Sequence, residues 1–197
     1  MNMNAEPFDD HDQVGESSPE AHSDLIRLEP PSEKFIDSFF EAMEEFEAEG
    51  IPQISKDTTR EKFPAYVQKL LDQAVGKNLK EGHVPSVEFW MIDADGYAGR
   101  IILGLSYTPT VERLGHHVGY AVRPSKRRRG YATIALHCLL DEARKLKVYQ
   151  LMPTCGETNI ASRKVIEKNG GVLVSRSPTD QNGHAELRFL IDLEAQP

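Results

Sequence analysis

A run of four basic residues, Lys126 to Arg129, stands directly before Gly130 and Ala132. The residues before the run, His117 to Val122, have the composition of a strand, and Gly130 to Leu146 have the apolar content of a buried helix. A loop at such a junction can direct several backbone N–H groups into one concavity, next to the positive end of the helix. Gly130 also permits close approach to the backbone. Together with the cations, this arrangement suits a diphosphate group.

The basic run has other interpretations when it is taken alone. Four consecutive cations are also typical of a solvated charge cluster, a localisation signal or a nucleic-acid-binding patch. The position between a strand and a buried helix favours the phosphate interpretation. The charge balance agrees with it. Outside residues 1–24 the chain has 24 acidic residues (31 minus 7) and 23 basic residues, so no overall field attracts nucleic acid.

Two further motifs connect this loop to a known family. Arg127-x-x-Gly130-x-Ala132 resembles the R/Q-x-x-G-x-G/A acetyl-CoA signature of the GNAT superfamily of N-acetyltransferases. The segment Asn159 to Gly170 resembles that family's Asn-x-x-Ser/Ala helix, which ends in Glu-Lys-x-Gly, and Gly119 to Pro124 matches the strand that leads into the loop. The spacing is most similar to the branch with ribosomal-protein alanine acetyltransferases. The resemblance covers Pro85 to Val174, extends to Leu193, and does not clearly include the two N-terminal helices.

The resemblance implies an α/β (mixed α+β) fold of the GNAT type. The central sheet would be mixed and mostly antiparallel, with six to seven strands and about four flanking helices. Strands 117–122 and 148–154 would be parallel neighbours that splay apart. The pantetheine arm of acetyl-CoA would enter the gap between them as a pseudo-strand.

The resemblance also implies which residues bind acetyl-CoA, the expected co-substrate. Backbone groups of two strand residues and the Asn159 side chain would bind pantetheine, the basic loop would hold the pyrophosphate, and two residues of the following helix are candidates for the phosphate end. The residues assigned in this way are Ala121, Val122, Arg127, Arg128, Arg129, Gly130, Tyr131, Ala132, Thr133, Asn159, Ser162 and Arg163.

Direct attack by an amine on the thioester needs a polarised carbonyl and a group that removes a proton. By analogy with the family, the backbone N–H of Tyr120 would polarise the carbonyl. His116 falls where some members place a catalytic Glu, and an imidazole has a suitable pKa near 6.5. His117 would point to the opposite face of the strand, so that only one of the two faces the acceptor. Glu88, on a neighbouring strand, is the third candidate for the base.

The sequence departs from the family at one catalytic position. Many members carry a Tyr seven residues after the helix Asn, where it protonates the leaving thiolate, but this chain has Ile166 there. Either another donor serves, or the thiolate leaves unassisted. The acidic residues of the first helix, Glu41, Glu44, Glu45 and Glu47, could favour a cationic acceptor, or they could form a solvated face.

The cysteines and histidines predict no metal site. Cys138 lies in the apolar helix and is expected in the core. Cys155 follows a strand without an assignable partner His and is expected to be structural. The two Cys and seven His show no ligand spacing for zinc. Two cysteines also form no disulfide framework, which favours a cytoplasmic location.

The elements that must position these residues follow from apolar spacing and turn residues. The predicted order is β-α-α-β-β-β-α-β-α-β-β, beginning with a strand at Asp24 to Glu29 and helices at 32–50 and 58–76. Asp93 to Gly96 predict a turn between strands 86–92 and 97–107. The last strands are expected at 172–176 and 185–193. Strands and helices that mix without strict alternation favour one domain with a mixed sheet.

Residues 1–23 are predicted to form a disordered acidic tail before a single domain at 24–197. The first 24 residues hold seven acids and no Lys or Arg. They offer too little apolar surface to fold, and they lack the charged and apolar regions of a secretory signal. No apolar run approaches a membrane span of about 18 residues.

The function expected from these observations is transfer of an acetyl group from acetyl-CoA to a primary amine. The amine is left open between a small molecule, a protein N-terminus and a lysine. The alternatives are a non-catalytic acyl-CoA-binding module and nucleic-acid binding through Lys126 to Arg129. Neither nucleic acid nor a membrane is expected as a partner, and the sequence does not choose between a monomer and a homodimer.

Overall fold

The computed structural model of the chain describes residues 25–81, 83–106, 117–181 and 183–194. The predicted acidic tail and His116, one candidate base, lie outside these ranges. Within them the chain forms eight strands and four α-helices. The strands are β1 Arg27–Glu29, β2 Ser86–Asp93, β3 Gly96–Gly104, β4 Val118–Val122, β5 Gln150–Leu151, β6 Thr154–Gly156, β7 Val172–Arg176 and β8 Glu186–Asp192. The helices are α1 Ile36–Ala48, α2 Phe63–Ala74, α3 Tyr131–Lys145 and α4 Ile160–Lys168.

The strands form two antiparallel groups that meet at one point. The first group has the order β1-β2-β3-β4, and in the second β5, β6 and β7 all pair with β8. In the described residues the two groups are joined by a single parallel bridge, between Val118 and Pro153. The mixed, mostly antiparallel sheet is therefore confirmed.

The strand predicted at 148–154 is present as two short pieces, β5 and β6. Pro153 interrupts the strand because it has no backbone N–H to donate. Its carbonyl still accepts a hydrogen bond from the Phe189 N–H of β8, at 3.0 Å. This division accounts for a strand count of eight where six to seven were expected.

Helices cover both faces of the first four strands, because successive side chains of a strand point to opposite faces. Trp90 and Ile92 of β2 pack with α1 and α2 in an aromatic cluster, whereas Met91 between them packs with α3 in the larger core. Trp90 and Met91 are both fully buried. The two layers hold β4 in place between the N-terminal helices and the helices α3 and α4.

Two features are absent from the described ranges. None of the helices there is long and apolar enough to cross a membrane. No group of three or more His, Cys, Asp or Glu side chains among those residues could hold a metal ion.

Candidate active site

A pocket of about 650 Å³ lies beside β4, between the N-terminal end of α3 and the face of α4. α1 and the segment that follows it close the pocket on the other side. Its lining combines apolar and basic side chains with small residues. The lining residues are Phe46, Ile51, Gln53, Tyr120, Ala121, Val122, Lys126, Arg127, Arg128, Gly130, Tyr131, Ala132, Thr133, Asn159, Ala161, Ser162, Lys164, Val165 and Lys168.

Backbone groups of β4 face the pocket in alternation. In its antiparallel ladder with β3, Ala121 stands opposite Arg100, and the flanking Arg123 N–H donates to the Ala98 carbonyl at 2.9 Å. The alternation of an antiparallel pair therefore turns the backbone groups of Ala121 toward β3, and those of Tyr120 and Val122 away from it. The Val122 carbonyl accordingly accepts from Arg127 Nε, at 3.2 Å. Tyr120 and Val122, rather than Ala121, offer backbone groups to a ligand in the gap.

The loop before α3 curls through two left-handed residues. Arg128 has φ 64° and Gly130 has φ 81°. Conformations that alternate in this way gather successive N–H groups into an anion-binding concavity. No side chain caps α3, so the first N–H groups of the helix have no partner of that kind. A concavity of this kind at the start of a helix suits an anion, and its assignment to a diphosphate stays a prediction.

The first cation of the basic run is not available to a ligand. Lys126 is buried, with 7% of its surface exposed, and its Nζ lies 2.9 Å from Asp93 Oδ2 and also contacts Asp95. The Tyr131 hydroxyl donates to the same Asp93 oxygen at 3.0 Å. Although burial alone would raise the pKa of Asp93, its hydrogen bonds with Lys126 and the Asp95 N–H lower it. Lys126 therefore fastens the loop to the β2–β3 turn.

Helix α1 holds the same loop from the other side. Arg123 Nε lies 2.7 Å from Glu45 Oε1, and Ser125 donates to both oxygens of Glu45 at 2.9 Å. Arg127 Nη1 lies 2.8 Å from Glu49 Oε2. Glu41 adds a contact to Arg123 at 3.2 Å. The acidic side of α1 thus positions the loop before α3, which the sequence did not predict. That the same carboxylates favour a cationic acceptor stays a prediction.

The family assignment follows from comparison of the sequence with protein families. The sequence model described as Acetyltransferase (GNAT) domain matches residues 26–172, which is about three quarters of the chain. The chain belongs to the GNAT acetyltransferase family. The match includes both N-terminal helices, which the motifs did not clearly cover. No curated protein matches the sequence at a significant level.

Solved structures of several acetyltransferases share the fold at low sequence identity. The microcin C7 self-immunity acetyltransferase MccE, in complex with acetyl-CoA and AMP, is 14% identical over 86% of this chain and 93% of that one, with a TM-score of 0.64. RimJ of Mycobacterium smegmatis, in complex with CoA-disulfide, is 16% identical over 88% of each chain, with a TM-score of 0.64. A Salmonella typhimurium acetyltransferase that modifies the N-terminal serine of a 50S ribosomal protein is 17% identical over 86% and 96%, with a TM-score of 0.59.

Most residues that the sequence assigned to acetyl-CoA in this GNAT acetyltransferase line this pocket. Asn159 caps α4, where its Oδ1 accepts from the Ser162 N–H at 3.0 Å, and the cap leaves its amide nitrogen unused. Two assigned residues do not line the pocket. Arg129 bonds the Ser125 carbonyl at 3.4 Å, and Arg163 pairs with Glu167 at 2.8 Å.

Two basic residues of the pocket were missed by the sequence reasoning. Lys164 and Lys168 lie on α4 and line the pocket with Ala161 and Val165. These four positions have the spacing of one helical face, i, i+3, i+4 and i+7. The same spacing counted from Asn159 gives positions 162, 163 and 166 instead, so the motif alone could not have found these lysines.

His117 lies at the junction of the two strand groups. It is 1% exposed, and its Nδ1 accepts from the Met152 N–H at 2.9 Å. Burial lowers its pKa to about 4, partly offset by a hydrogen bond with the Gly104 backbone. His117 does not line the pocket. It is a weak base that joins β4 to the β5–β6 segment, so we do not retain it as the candidate general base.

The buried, neutral state of His117 should make stability depend on pH. Its folded pKa of about 4 lies below the ordinary 6.5, so between these values the unfolded chain binds a proton that the native chain does not. This contribution to stability is complete above about pH 6.5 and is lost as pH falls toward about 4. From about pH 7.5 to about pH 5 the loss should be about 2 kcal/mol.

Urea unfolding of the wild type and His117→Asn at both pH values measures this contribution. The asparagine keeps an acceptor oxygen near the position of Nδ1 but cannot titrate. Because burial raises the pKa of Glu88, that group acts in the opposite direction, and the comparison between the two proteins removes its effect. An equal pH dependence in both proteins would show that His117 is not the titrating group.

Glu88, the third candidate base, is also buried. It is 7% exposed, its Oε1 accepts from Trp90 Nε1 at 2.9 Å, and its Oε2 lies 3.8 Å from Arg100 Nη1. Burial raises its pKa, although Arg100 and the Trp90 hydrogen bond oppose the shift. Arg100 in turn bonds Gln53, a pocket residue, at 3.1 Å. Glu88 therefore reaches the pocket only through Arg100 and Gln53.

Proposed function

We propose that the protein transfers the acetyl group of acetyl-CoA to a primary amine. The observation that carries the proposal is the pocket of about 650 Å³, which joins the loop before α3 to the gap beside β4. Acetyl-CoA needs a site for its diphosphate and a groove for its pantetheine arm, and the lining of this pocket is consistent with both. GNAT members of known structure such as MccE were solved with acetyl-CoA, which supports this choice of co-substrate.

The pyrophosphate would bind the N–H groups from Arg128 to Thr133, where α3 has no side-chain cap. Arg128 and the two α4 lysines, Lys164 and Lys168, supply charge along the same pocket. Pantetheine would run along β4 toward Tyr120, with the Asn159 amide against it. The thioester would then lie where the β4 backbone turns away from β3.

The reaction would need little from the protein beyond orientation and polarisation. The Tyr120 N–H, which points away from β3, is placed to bond the thioester carbonyl oxygen as negative charge develops there. His116 and Glu88 are the proposed proton acceptors. Burial raises the pKa of Glu88 and so makes it a stronger base, which would reach the pocket through Arg100 and Gln53. His116 stands two residues before β4 in the sequence.

The first acceptors to test follow from a similar enzyme. The related Salmonella enzyme acts on an N-terminal serine, which makes short peptides with a free N-terminus the first acceptors to test.

A non-catalytic acyl-CoA-binding module remains the second candidate, because Ile166 replaces the usual acid. It predicts binding of acetyl-CoA without release of CoA thiol in the presence of any amine. Nucleic-acid binding is disfavoured because Lys126 and Arg127 are engaged by Asp93 and Glu49.

Thermal unfolding with and without acetyl-CoA tests the proposal before an acceptor is known. Ligand at about 100 times its Kd should stabilise the fold by about 2.7 kcal/mol. For a domain of this size the shift in Tm is about 5 to 10 °C. An amine and peptide screen for released CoA thiol would follow. The absence of a shift at millimolar acetyl-CoA would contradict the proposed site.

Reversal of one charge should remove most of that ligand effect. Arg128→Glu places a carboxylate beside the pyrophosphate, so acetyl-CoA affinity should fall by about 10- to 100-fold. Arg144→Glu, which changes the net charge equally at the far end of α3, is the matched control. If both variants keep wild-type affinity by isothermal calorimetry, the pyrophosphate is placed wrongly.

A further inference from the structure

The position that carries the usual acid in this family has no proton to give here. Ile166 is fully buried in the main core beneath α4. The thiolate that leaves in the proposed reaction nevertheless forms in a groove that is partly closed to water. A hydroxyl from another element would stabilise it better than the apolar wall.

One hydroxyl on the opposite wall of the groove is placed to stabilise the leaving thiolate. Tyr120 lies on β4, and its ring packs against the core on the side of α3 and α4. Its hydroxyl donates to the Ser162 carbonyl, in the first turn of α4, at 3.3 Å. Tyr120 and Ser162 both line the pocket. The side chain therefore spans the groove from β4 to α4, beside the backbone N–H that faces the thioester.

The surroundings of this hydroxyl keep it protonated and hold it in place. Burial raises the pKa of Tyr120, which a hydrogen bond to Ser162 partly offsets. The Asn159 cap fixes the turn that carries the Ser162 carbonyl. A bond of 3.3 Å is long for an O–H donor, so the proton can turn to a better acceptor at small cost.

We propose that the Tyr120 hydroxyl binds the coenzyme sulfur and protonates it as it leaves. The inference rests on the proposed function. As the amine nitrogen bonds to the acetyl carbon, the C–S bond breaks and its electron pair stays on sulfur. The Tyr120 proton moves to sulfur and forms the CoA thiol. The phenolate then recovers, through water, the proton released by the amine nitrogen, so that one amine proton ends on the thiol.

Two other side chains near the Tyr120 hydroxyl are alternative proton donors, and the test distinguishes them from it. The Cys155 thiol is buried, does not line the pocket, and has a pKa raised by burial. The Ser162 hydroxyl is on a pocket residue. A donor at either residue would leave the sulfur contact intact when only the Tyr120 hydroxyl is removed.

The test compares binding of CoA and of desulfo-CoA, which lacks the sulfur, to the wild type and to Tyr120→Phe. The variant keeps the ring and the backbone N–H. At about pH 9, where part of the CoA thiol is ionised, a hydrogen bond to the charged sulfur should make the wild type prefer CoA about tenfold. Tyr120→Phe should lose this preference and bind desulfo-CoA as the wild type does. The control Tyr149→Phe, at an exposed tyrosine, should behave like the wild type.

Each outcome of the calorimetry decides the proposal. If Tyr120→Phe keeps the tenfold preference, or if Ser162→Ala or Cys155→Ser loses it instead, the Tyr120 hydroxyl does not touch the sulfur. If the wild type binds CoA and desulfo-CoA equally, the inference fails while the proposed function stands. If the wild type binds neither, both fail.

Turnover provides a second measure once an acceptor is found. Tyr120→Phe should lower kcat by about 10- to 100-fold, with KM for acetyl-CoA changed by less than about twofold. Loss of packing alone would instead raise KM or lower Tm, and it would not lower kcat while KM stays nearly unchanged. An unchanged kcat would overturn the role as proton donor.

Discussion

Lys126→Met should destabilise the fold by about 3 to 5 kcal/mol, the cost of removing one partner of a buried ion pair. Lys126 is buried against Asp93, whose side chain is only 5% exposed. Methionine fills a similar volume but leaves the Asp93 carboxylate without its cation. The Tyr131 hydroxyl and the Asp95 N–H would still bond Asp93, but neither carries a charge.

Urea unfolding of Lys126→Met measures the loss, with Lys145→Met as the matched control. Lys145 is exposed at the end of α3 and pairs with Glu142 on the surface, so its loss should change the stability little. Lys126→Met combined with Asp93→Asn should recover part of the stability, because no unpaired charge then remains. Equal losses for Lys126→Met and Lys145→Met would show that the buried pair does not hold the loop.

The same variant should also weaken acetyl-CoA binding. Lys126 does not need to contact the ligand for this effect, because it anchors the loop whose N–H groups would hold the pyrophosphate. A loop that must be ordered on binding pays that cost in affinity. The ligand-induced rise in Tm should therefore be smaller in Lys126→Met than in Lys145→Met.

Gly99→Ala should cost about 2 to 5 kcal/mol, from backbone strain and overlap together. Gly99 lies on β3 opposite Val122, with φ 154°, which L residues rarely adopt. A methyl group there would overlap the Ala121 carbonyl oxygen and come within 3.0 Å of Val122 Cα. Both contacts are with the backbone of β4, so no side-chain rotation relieves them. The groove wall must move.

Gly119→Ala is the matched control for this substitution. Gly119 lies on β4, its added methyl group would meet open space, and its φ is ordinary. Its cost should stay below about 1 kcal/mol. Denaturant midpoints of both variants, with and without acetyl-CoA, test the prediction. If Gly99→Ala is as stable as Gly119→Ala, β4 tolerates displacement and its register with β3 does not define the groove.

Local signals predicted the elements well where one residue or a short spacing decides them. Gly50 and Gly76 both lie at positive φ just after the first two helices, as the stop signals indicated. The strands β2 and β3 turn between Asp93 and Gly96 as expected. The second helix begins at Phe63, four residues after Thr59, because a turn at 60–62 precedes it. The motifs could not give that offset, since a threonine caps turns and helices alike.

The division of the predicted strand at 148–154 shows that local composition does not predict strand pairing. Its composition is that of one strand, and Pro153 alone marks the interruption. Both halves pair with β8, which lies 30 to 42 residues later in the chain. Pairing between distant segments is decided by packing, not by composition.

The sequence by itself located the loop before α3, because the backbone amides that shape it lie within a few residues of Gly130. It likewise determined the Asn159 helix and the absence of a hydroxyl at Ile166. Only the tertiary structure decided which cations remain for a ligand, since Asp93 and Glu45 approach the loop from residues 30 to 80 positions away. It also decided that His117 is buried between strands and that the Tyr120 hydroxyl reaches α4. A side chain's charge and reach are set by its neighbours in space, and the order of residues along the chain does not show those neighbours.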